Sequence, residues 1–262
     1  MPTARQCRRR LRRADRLRRL VARRRRLLLE AGAEIEFVQT DGNAQLTETS
    51  TAAFSALCDN TDFATYSFWI NIPANVSGTG TIFTFESGFQ DRSLVRLDSS
   101  ERLVFTFNTS FGTSYIAATE VVDKETPLHV MVAINTDDDT AEVWVNGTRI
   151  VNNTGLGTGF AMDDSQSGFN VGSDRGSNQH LQAAVPIGDL WVGQEYVASP
   201  VGTFIEAAGT NPTPRDSGGD GSGYTGTQPL IYFKTLADFQ NGDSRGTYSG
   251  GFTLASGAFS AA

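Results

Sequence analysis

Few residues in this 262-residue chain are of a type that does chemistry, and their spacing excludes more than it permits. The two histidines are His129, inside the run PLHVMV, and His180, in a polar stretch; neither neighbours a convincing serine or cysteine nucleophile. Cys7 and Cys58 sit in unlike surroundings and are expected to be free thiols, and no zinc-ligand spacing is present. Retaining glycoside hydrolysis needs two carboxylates about 5 Å apart. Glu34-Ile35-Glu36 is the best local pair, because strand alternation would place both carboxylates on one side. It lacks a third carboxylate and aromatic surroundings, so solubility charge is the better account. Glu86 and Asp91 are separated by a glycine-containing turn and make no rigid pair. Asp137-Asp138-Asp139 offers the clustered oxygens that calcium favours, but at a hairpin tip and without the spaced ligands of a calcium loop.

The three tryptophans say more. Trp69 alternates with Ser67 and Asn71, Trp144 shares its strand face with Glu142, and Trp191 lies two residues from Asp189. A tryptophan on such a polar-partnered face can stack against the apolar C–H face of a sugar ring. It can equally be covered by a loop, by the C-terminal part of the chain or by a second subunit. Trp69, Trp144 and Trp191 are therefore the carbohydrate-binding candidates, but structural cover or subunit contact is the better account of them, above all of Trp69.

The elements that hold these residues are strands. Between Pro127 and Val151, Leu128, Val130, Val132 and Ile134 fall on one face, as do Ala141, Val143 and Val145 on the next run; this is the period of two of half-buried strands. Asn135 to Thr140 is a turn, and Asn146-Gly147 is a second, since both residues tolerate positive φ. Three antiparallel strands in succession are predicted. Further strands are predicted at 35–38, 66–72, 82–85, 94–97, 103–107, 113–118, 169–172 and 187–192. That many short, turn-bounded strands predict an all-β antiparallel sandwich. Residues 199–229 are rich in Pro, Gly, Ser and Asp and read as an irregular arm, followed by two late strands at 230–233 and 251–254. The expected organisation is a basic segment at 1–32, a sandwich at 33–198, and at 199–262 an arm and two strands that pack on the sandwich or on a neighbour.

The formal charge of −7 hides a severe asymmetry. Residues 1–30 hold 13 Arg against Asp15 and Glu30, a net of +11, whereas the remainder holds 9 basic and 27 acidic side chains, a net of −18. No Gly or Pro interrupts residues 4–31, which predicts an Arg-rich α-helix ahead of the sandwich. Leu11, Ala14, Leu17, Val21 and Leu28 lie along one stripe, with Arg on the other faces. Arg23 to Arg26 break the apolar centre a secretory signal needs, the absence of Ser argues against a transit peptide, and no apolar run approaches the ~20 residues of a membrane helix. An electrostatic anchor is the expected role, carried by Arg8, Arg9, Arg12, Arg16, Arg19, Arg23 and Arg26 with Leu17, Val21 and Leu28. An acidic protein surface explains the residues better than nucleic acid does, since no aromatics are interleaved for base stacking.

The strings ATYSFWINIP, LVRLDSSERLVFTF, PLHVMVAINTDDDTAEVWVNGTRI and AAVPIGDLWVGQEY, in that order, resemble the concanavalin A-like (laminin-G-like) jelly-roll lectin superfamily. The tail, from VGTFIEAAG to ADFQNGDSRGTYSGGFTL, resembles the C-terminal extension of laminin-G-like proteins of tailed bacteriophages and gene transfer agents. The resemblance implies a concanavalin A-like jelly-roll fold, a structural His129, and a non-enzymatic protein at a virion surface: a capsid decoration, head fibre or tail-associated adhesion module. Its implied partners are capsid or other virion proteins through the basic N-terminus, host surface glycans, and further copies of itself. The alternatives are a carbohydrate-binding module and, on the same fold, a glycoside hydrolase. No cofactor is expected; some relatives bind calcium at the rim, for which Asp163, Asp164 and Asp174 are the loose candidates.

Overall fold

The computed structural model describes residues 35–40, 46–47, 63–74, 80–87, 91–108, 114–121, 123–135, 137–138, 140–154, 168–171, 185–210, 212–229, 231–241 and 252–254. The described strands are, in chain order, β1 (Val38–Thr40), β2 (Leu46–Thr47), β3 (Phe63–Ile70), β4 (Gly80–Ser87), β5 (Asp91–Leu97), β6 (Arg102–Asn108) and β7 (Ser114–Val121). They continue with β8 (Leu128–Asn135), β9 (Thr140–Val145), β10 (Thr148–Thr154), β11 (Gly168–Val171), β12 (Ile187–Gly193), β13 (Ile231–Phe233) and β14 (Phe252–Leu254). Two short helices, α1 (Ser222–Thr225) and α2 (Leu236–Asn241), flank β13. One sheet has eight strands in the order β10-β9-β8-β3-β12-β1-β14, with β13 also paired to β12; the other has six, β2-β11-β4-β5-β6-β7. Every pairing between these strands is antiparallel. The predicted Arg-rich helix and its anchor residues, from Arg8 to Leu28, lie outside the described residues, as do Cys7, Cys58 and His180.

The alternation read from the sequence sets which face meets the core. Tyr66, Phe68 and Ile70 of β3, Leu128, Val130, Val132 and Ile134 of β8, and Ala141 and Val143 of β9 join Leu103 and Phe105 of β6 in one buried cluster between the sheets. Removing that much apolar surface from water is the main force holding the sheets together. The β9–β10 turn forms at Asn146 (φ 50°) and Gly147 (φ 80°), the positive-φ pair that a two-residue hairpin requires. Its position is fixed twice over. Asn146 Oδ1 accepts from the His129 N–H at 2.8 Å, and a Cβ on Gly147 would stand 2.7 Å from that of Ala208.

In one respect the fold departs from the expectation of half-buried strands. All eight residues of β8 and all seven of β12 are buried, so these strands are covered on both faces. The second cover comes from the irregular segment after β12, which crosses the outer face of the eight-stranded sheet. Phe204, Tyr224 and Val197 pack there with Met131, Ala133, Trp191 and Tyr232 in a second buried cluster, and Ile205 packs with Ile35, Phe37 and Trp69 in a third. The late strands complete the same sheet, with β13 on β12 and β14 on β1. The segment predicted as a strand at 35–38 begins its pairing at Val38; Ile35 and Phe37 are buried, while Glu36 is exposed.

Candidate functional site

The outer face of the eight-stranded sheet gathers most of the chemically interesting side chains. Trp69 and Ser67 of β3, His129 and Met131 of β8, and Trp191 of β12 point to this side, opposite the core-facing Tyr66, Phe68 and Leu190. Two of the three carbohydrate-binding candidates are corrected by their burial. Trp69 is 2% exposed and Trp191 is fully buried, so neither ring can meet a sugar. The ring of Trp191 lies edge-on to Phe204 (centroids 5.1 Å), and its Nε1–H donates to the Gly221 carbonyl at 3.2 Å. Trp69 meets His129 edge-on at 5.2 Å, and His129 in turn stacks on Phe204 at 5.9 Å. Phe204 therefore covers both His129 and Trp191 on this face.

Sequence spacing also misses a pair that the sheet creates. His129 Nε2 lies 2.8 Å from Ser67 Oγ, across the β3–β8 ladder and 62 residues apart in the chain. Sequence position gives no sign of this contact, which strand register alone creates. The pair still lacks the features of a hydrolytic site: both residues are buried, and His129 Nδ1 has no hydrogen-bond partner, so no acid orients the ring. Burial pushes the imidazole down to about 3, which keeps it neutral at physiological pH. It is a structural histidine packed between two aromatic rings.

Beside it is a buried carboxylate clamp. Asp189 sits at a bulge in β12 with φ 48°, and its side chain is buried. Tyr232 donates to Oδ1 at 2.6 Å and Tyr224 donates to Oδ2. Desolvation raises the Asp189 carboxyl above its ordinary range, opposed by the two tyrosine hydrogen bonds and the Lys234 charge. Burial and the neighbouring carboxylate push both tyrosine hydroxyls up, so they remain donors. Lys234 Nζ is held by Ser217 Oγ at 2.8 Å. These contacts fasten the 217–234 segment to the sheet.

The third tryptophan lies at the margin of this cover. Trp144 is half-buried and packs against the second cluster, and its Nε1–H has no partner. The Arg149 guanidinium stands 5.6 Å from its ring centroid. Arg149 Nη1 also donates to Glu142 Oε1 at 2.6 Å, and Tyr196 donates to Glu142 Oε2 at 2.8 Å, so both oxygens of this buried carboxylate are occupied. The Tyr196 hydroxyl is pushed up to about 12 by burial and by Glu142. Of the three candidates, Trp144 alone keeps a rim that solvent reaches.

The remaining candidates are placed as follows. Asp138 accepts from Asn135 Nδ2 at 2.8 Å and returns its own N–H to Asn135 Oδ1, which is a turn cap. Among the described residues no group of three or more His, Cys, Asp or Glu is arranged to hold a metal. Asp163, Asp164, Asp174 and Glu34 lie outside the described residues. The described carboxylates that are buried, Glu142 and Asp189, are each held by their own donors and do not form an acid–nucleophile pair. Among the described residues no helix is long and apolar enough to cross a membrane.

Two antiparallel sheets packed face to face over one apolar core define a β-sandwich. The chain belongs to the concanavalin A-like lectin/glucanases superfamily, whose family profile matches residues 39–191. Solved structures of similar fold include the mouse laminin alpha1 chain, domains LG4-5, at 16% identity and a TM-score of 0.46; the match covers 63% of this chain and 44% of that one. A heptameric SAP-like pentraxin from Limulus polyphemus is 12% identical (TM-score 0.41), with 63% and 72% covered. The Ruminococcus gnavus IT-sialidase CBM40 bound to alpha2,3 sialyllactose is 11% identical (TM-score 0.49), with 64% and 91% covered. The chain spans less than half the length of the laminin chain it matches. No curated protein matches it in sequence.

Proposed function

We propose that this chain is a non-catalytic display protein of a tailed phage or gene-transfer-agent particle, presenting its lectin-type sandwich outward and held by its basic N-terminal segment. The observation that carries the reading is the sealing of the eight-stranded sheet. Ser67, His129, Asp189, Trp69 and Trp191 are all buried under the chain's own extension, which makes them parts of a rigid scaffold. The charge division supports the anchoring half: +11 in residues 1–30 against −18 in the rest suits docking of the head onto an acidic protein shell, with the acidic body held away from it. Purified protein lacking residues 1–32 is expected to stay soluble, keep the β-rich circular dichroism of the full chain, and fail to join particles. Normal incorporation of the truncated protein would overturn the anchor.

A second reading, recognition of host surface glycans, rests on Trp144. Its ring is the tryptophan surface left at the edge of the cover, beside a polar group of Glu142, Arg149 and Tyr196. Binding on an array of bacterial polysaccharides, lost in Trp144→Ala with the melting curve unchanged, supports it. The absence of binding to any polysaccharide removes it.

A further inference from the structure

The turn between β9 and β10 is built on Asn146-Gly147, and asparagine followed by glycine is a chemically reactive pair. The Gly147 nitrogen can attack Cγ of the Asn146 side chain, because glycine has no side chain to hinder the approach. A bond forms from Gly147 N to Cγ, the Cγ–Nδ2 bond breaks, and Nδ2 leaves as ammonia with the proton given up by Gly147. Water then opens the cyclic imide at either carbonyl, leaving aspartate or isoaspartate. The reaction needs no enzyme and no redox partner, only water and a backbone free to rotate.

The structure denies that freedom. Asn146 has φ 50°, and in the left-handed region ψ is positive as well, which turns the Gly147 nitrogen to the side of the Cα–C bond opposite the Asn146 side chain. Closing the ring requires rotation about that bond, and the Asn146 carbonyl swings with it. That carbonyl accepts from the Gly209 N–H of the arm at 3.1 Å. The side-chain amide is held too. Its Oδ1 accepts from the N–H of buried His129 at 2.8 Å, a donor that would be orphaned if the amide turned away. Its Nδ2 donates to the Thr210 carbonyl at 3.5 Å. Gly147 has no room to move, since a Cβ there would stand 2.7 Å from Ala208 Cβ and 3.0 Å from Val201 Cγ2. Most of these restraints come from one exposed piece of the arm, residues 208–210.

We infer that Asn146 is a spontaneous deamidation site gated by arm residues 208–210, and that its deamidation releases them. While the arm tip is closed the ring cannot form, so the reaction runs through the locally opened state and its rate reports how often the tip lifts. The product cannot close in the same way. Aspartate puts a carboxylate oxygen where Nδ2 faced the Thr210 carbonyl, so a donor becomes a second acceptor. Isoaspartate adds a methylene to the main chain inside a two-residue turn that sets the register of β10. Closure and modification exclude one another, which makes the turn a one-way latch on the cover. The latch uses the turn and the arm alone and is independent of attachment to a particle and of glycan binding.

Peptide mapping by mass spectrometry, with enzymatic methylation of isoaspartate, tests it on the full chain in warm, mildly alkaline buffer beside a synthetic peptide of residues 140–152. Asn146 in the full chain reacts at least about tenfold more slowly than in the peptide, the factor that one orphaned buried donor already imposes. Gly209→Pro removes the N–H that holds the Asn146 carbonyl, and Ala208→Gly removes the packing on Gly147. Each speeds the reaction at Asn146 several-fold, while the circular dichroism stays that of the wild type and the rate at Asn241-Gly242, the other Asn-Gly in the chain, does not change. Asn146→Asp raises amide hydrogen exchange across residues 204–210 several-fold. Reaction of the wild type at the peptide's rate, a rate at Asn146 that neither arm variant moves, or equal acceleration at Asn146 and Asn241 overturns the gate. Unchanged exchange in Asn146→Asp overturns the release.

Discussion

Burial of His129 ties the stability of the fold to pH. Its imidazole is pushed from 6.5 to about 3 in the folded state, so between those values the unfolded chain binds a proton that the folded chain refuses. The contribution is complete above 6.5 and is lost as pH falls, at about 1.4 kcal/mol per pH unit. Denaturant melts across the acid range should show this slope in the wild type and a flatter one in His129→Gln, although the variant is about 1–3 kcal/mol less stable near neutrality. An unchanged slope would mean that His129 protonates in the native state. Asp189 acts in the opposite sense. Its raised pKa means that the folded state holds the proton more tightly, so its contribution is present at low pH and lost as pH rises through the folded value. Asp189→Asn keeps an acceptor for one tyrosine, tolerates the positive φ, and removes the buried charge. Its melting temperature relative to wild type should therefore rise with pH; a constant difference would show that the carboxyl does not titrate in that range.

The segment between β12 and β13 behaves as a structural element although it has little regular secondary structure. Phe204 is its plug, touching His129, Trp191 and Tyr224 at once. Phe204→Ala should cost about 3–5 kcal/mol, as truncation of a buried aromatic does, and should shift the Trp191 emission to the red as water enters. A blue-shifted, fully stable variant would mean that the cover closes without it. The sequence showed the strands of the sandwich because their apolar period is regular: Leu128 to Ile134 and the Asn146-Gly147 turn took the predicted faces and dihedrals. It raised a cover as a reading of the tryptophans but did not show which residues supply it. Phe204 and Tyr224 are isolated aromatics among Gly, Ser and Pro, and no period marks them as buried. For the same reason Trp69 and Trp191, beside Ser67 and Asp189, carried a sugar-binding reading as well as a structural one. One clue was legible: several large aromatics on the polar-partnered side of adjacent strands need a cover, and the arm was one of the long segments that could supply it. The Ser67–His129 pair could not be read from spacing, because strand register alone brings residues 62 positions apart together.

Over the whole molecule, charge distribution decides how copies meet. A head of +11 and a body of −18 in one chain make each molecule a ligand for the body of the next. That attraction is head-to-tail and has no symmetry that would close it, so it favours open chains of copies over a defined oligomer. It is long-ranged at about 0.01 M salt, where the screening length is about 30 Å, and confined to contact at about 1 M, where it is about 3 Å. Light scattering of the full chain should therefore show large species at the lower salt that dissolve to a small, uniform one at the higher salt. Protein lacking residues 1–32 should give the small species at both. If the full chain is equally small at low salt, its head is already neutralised by its own body, and docking to a particle would have to displace that contact; the truncated protein would then show a newly exposed acidic surface that binds added polyarginine more tightly than the full chain does.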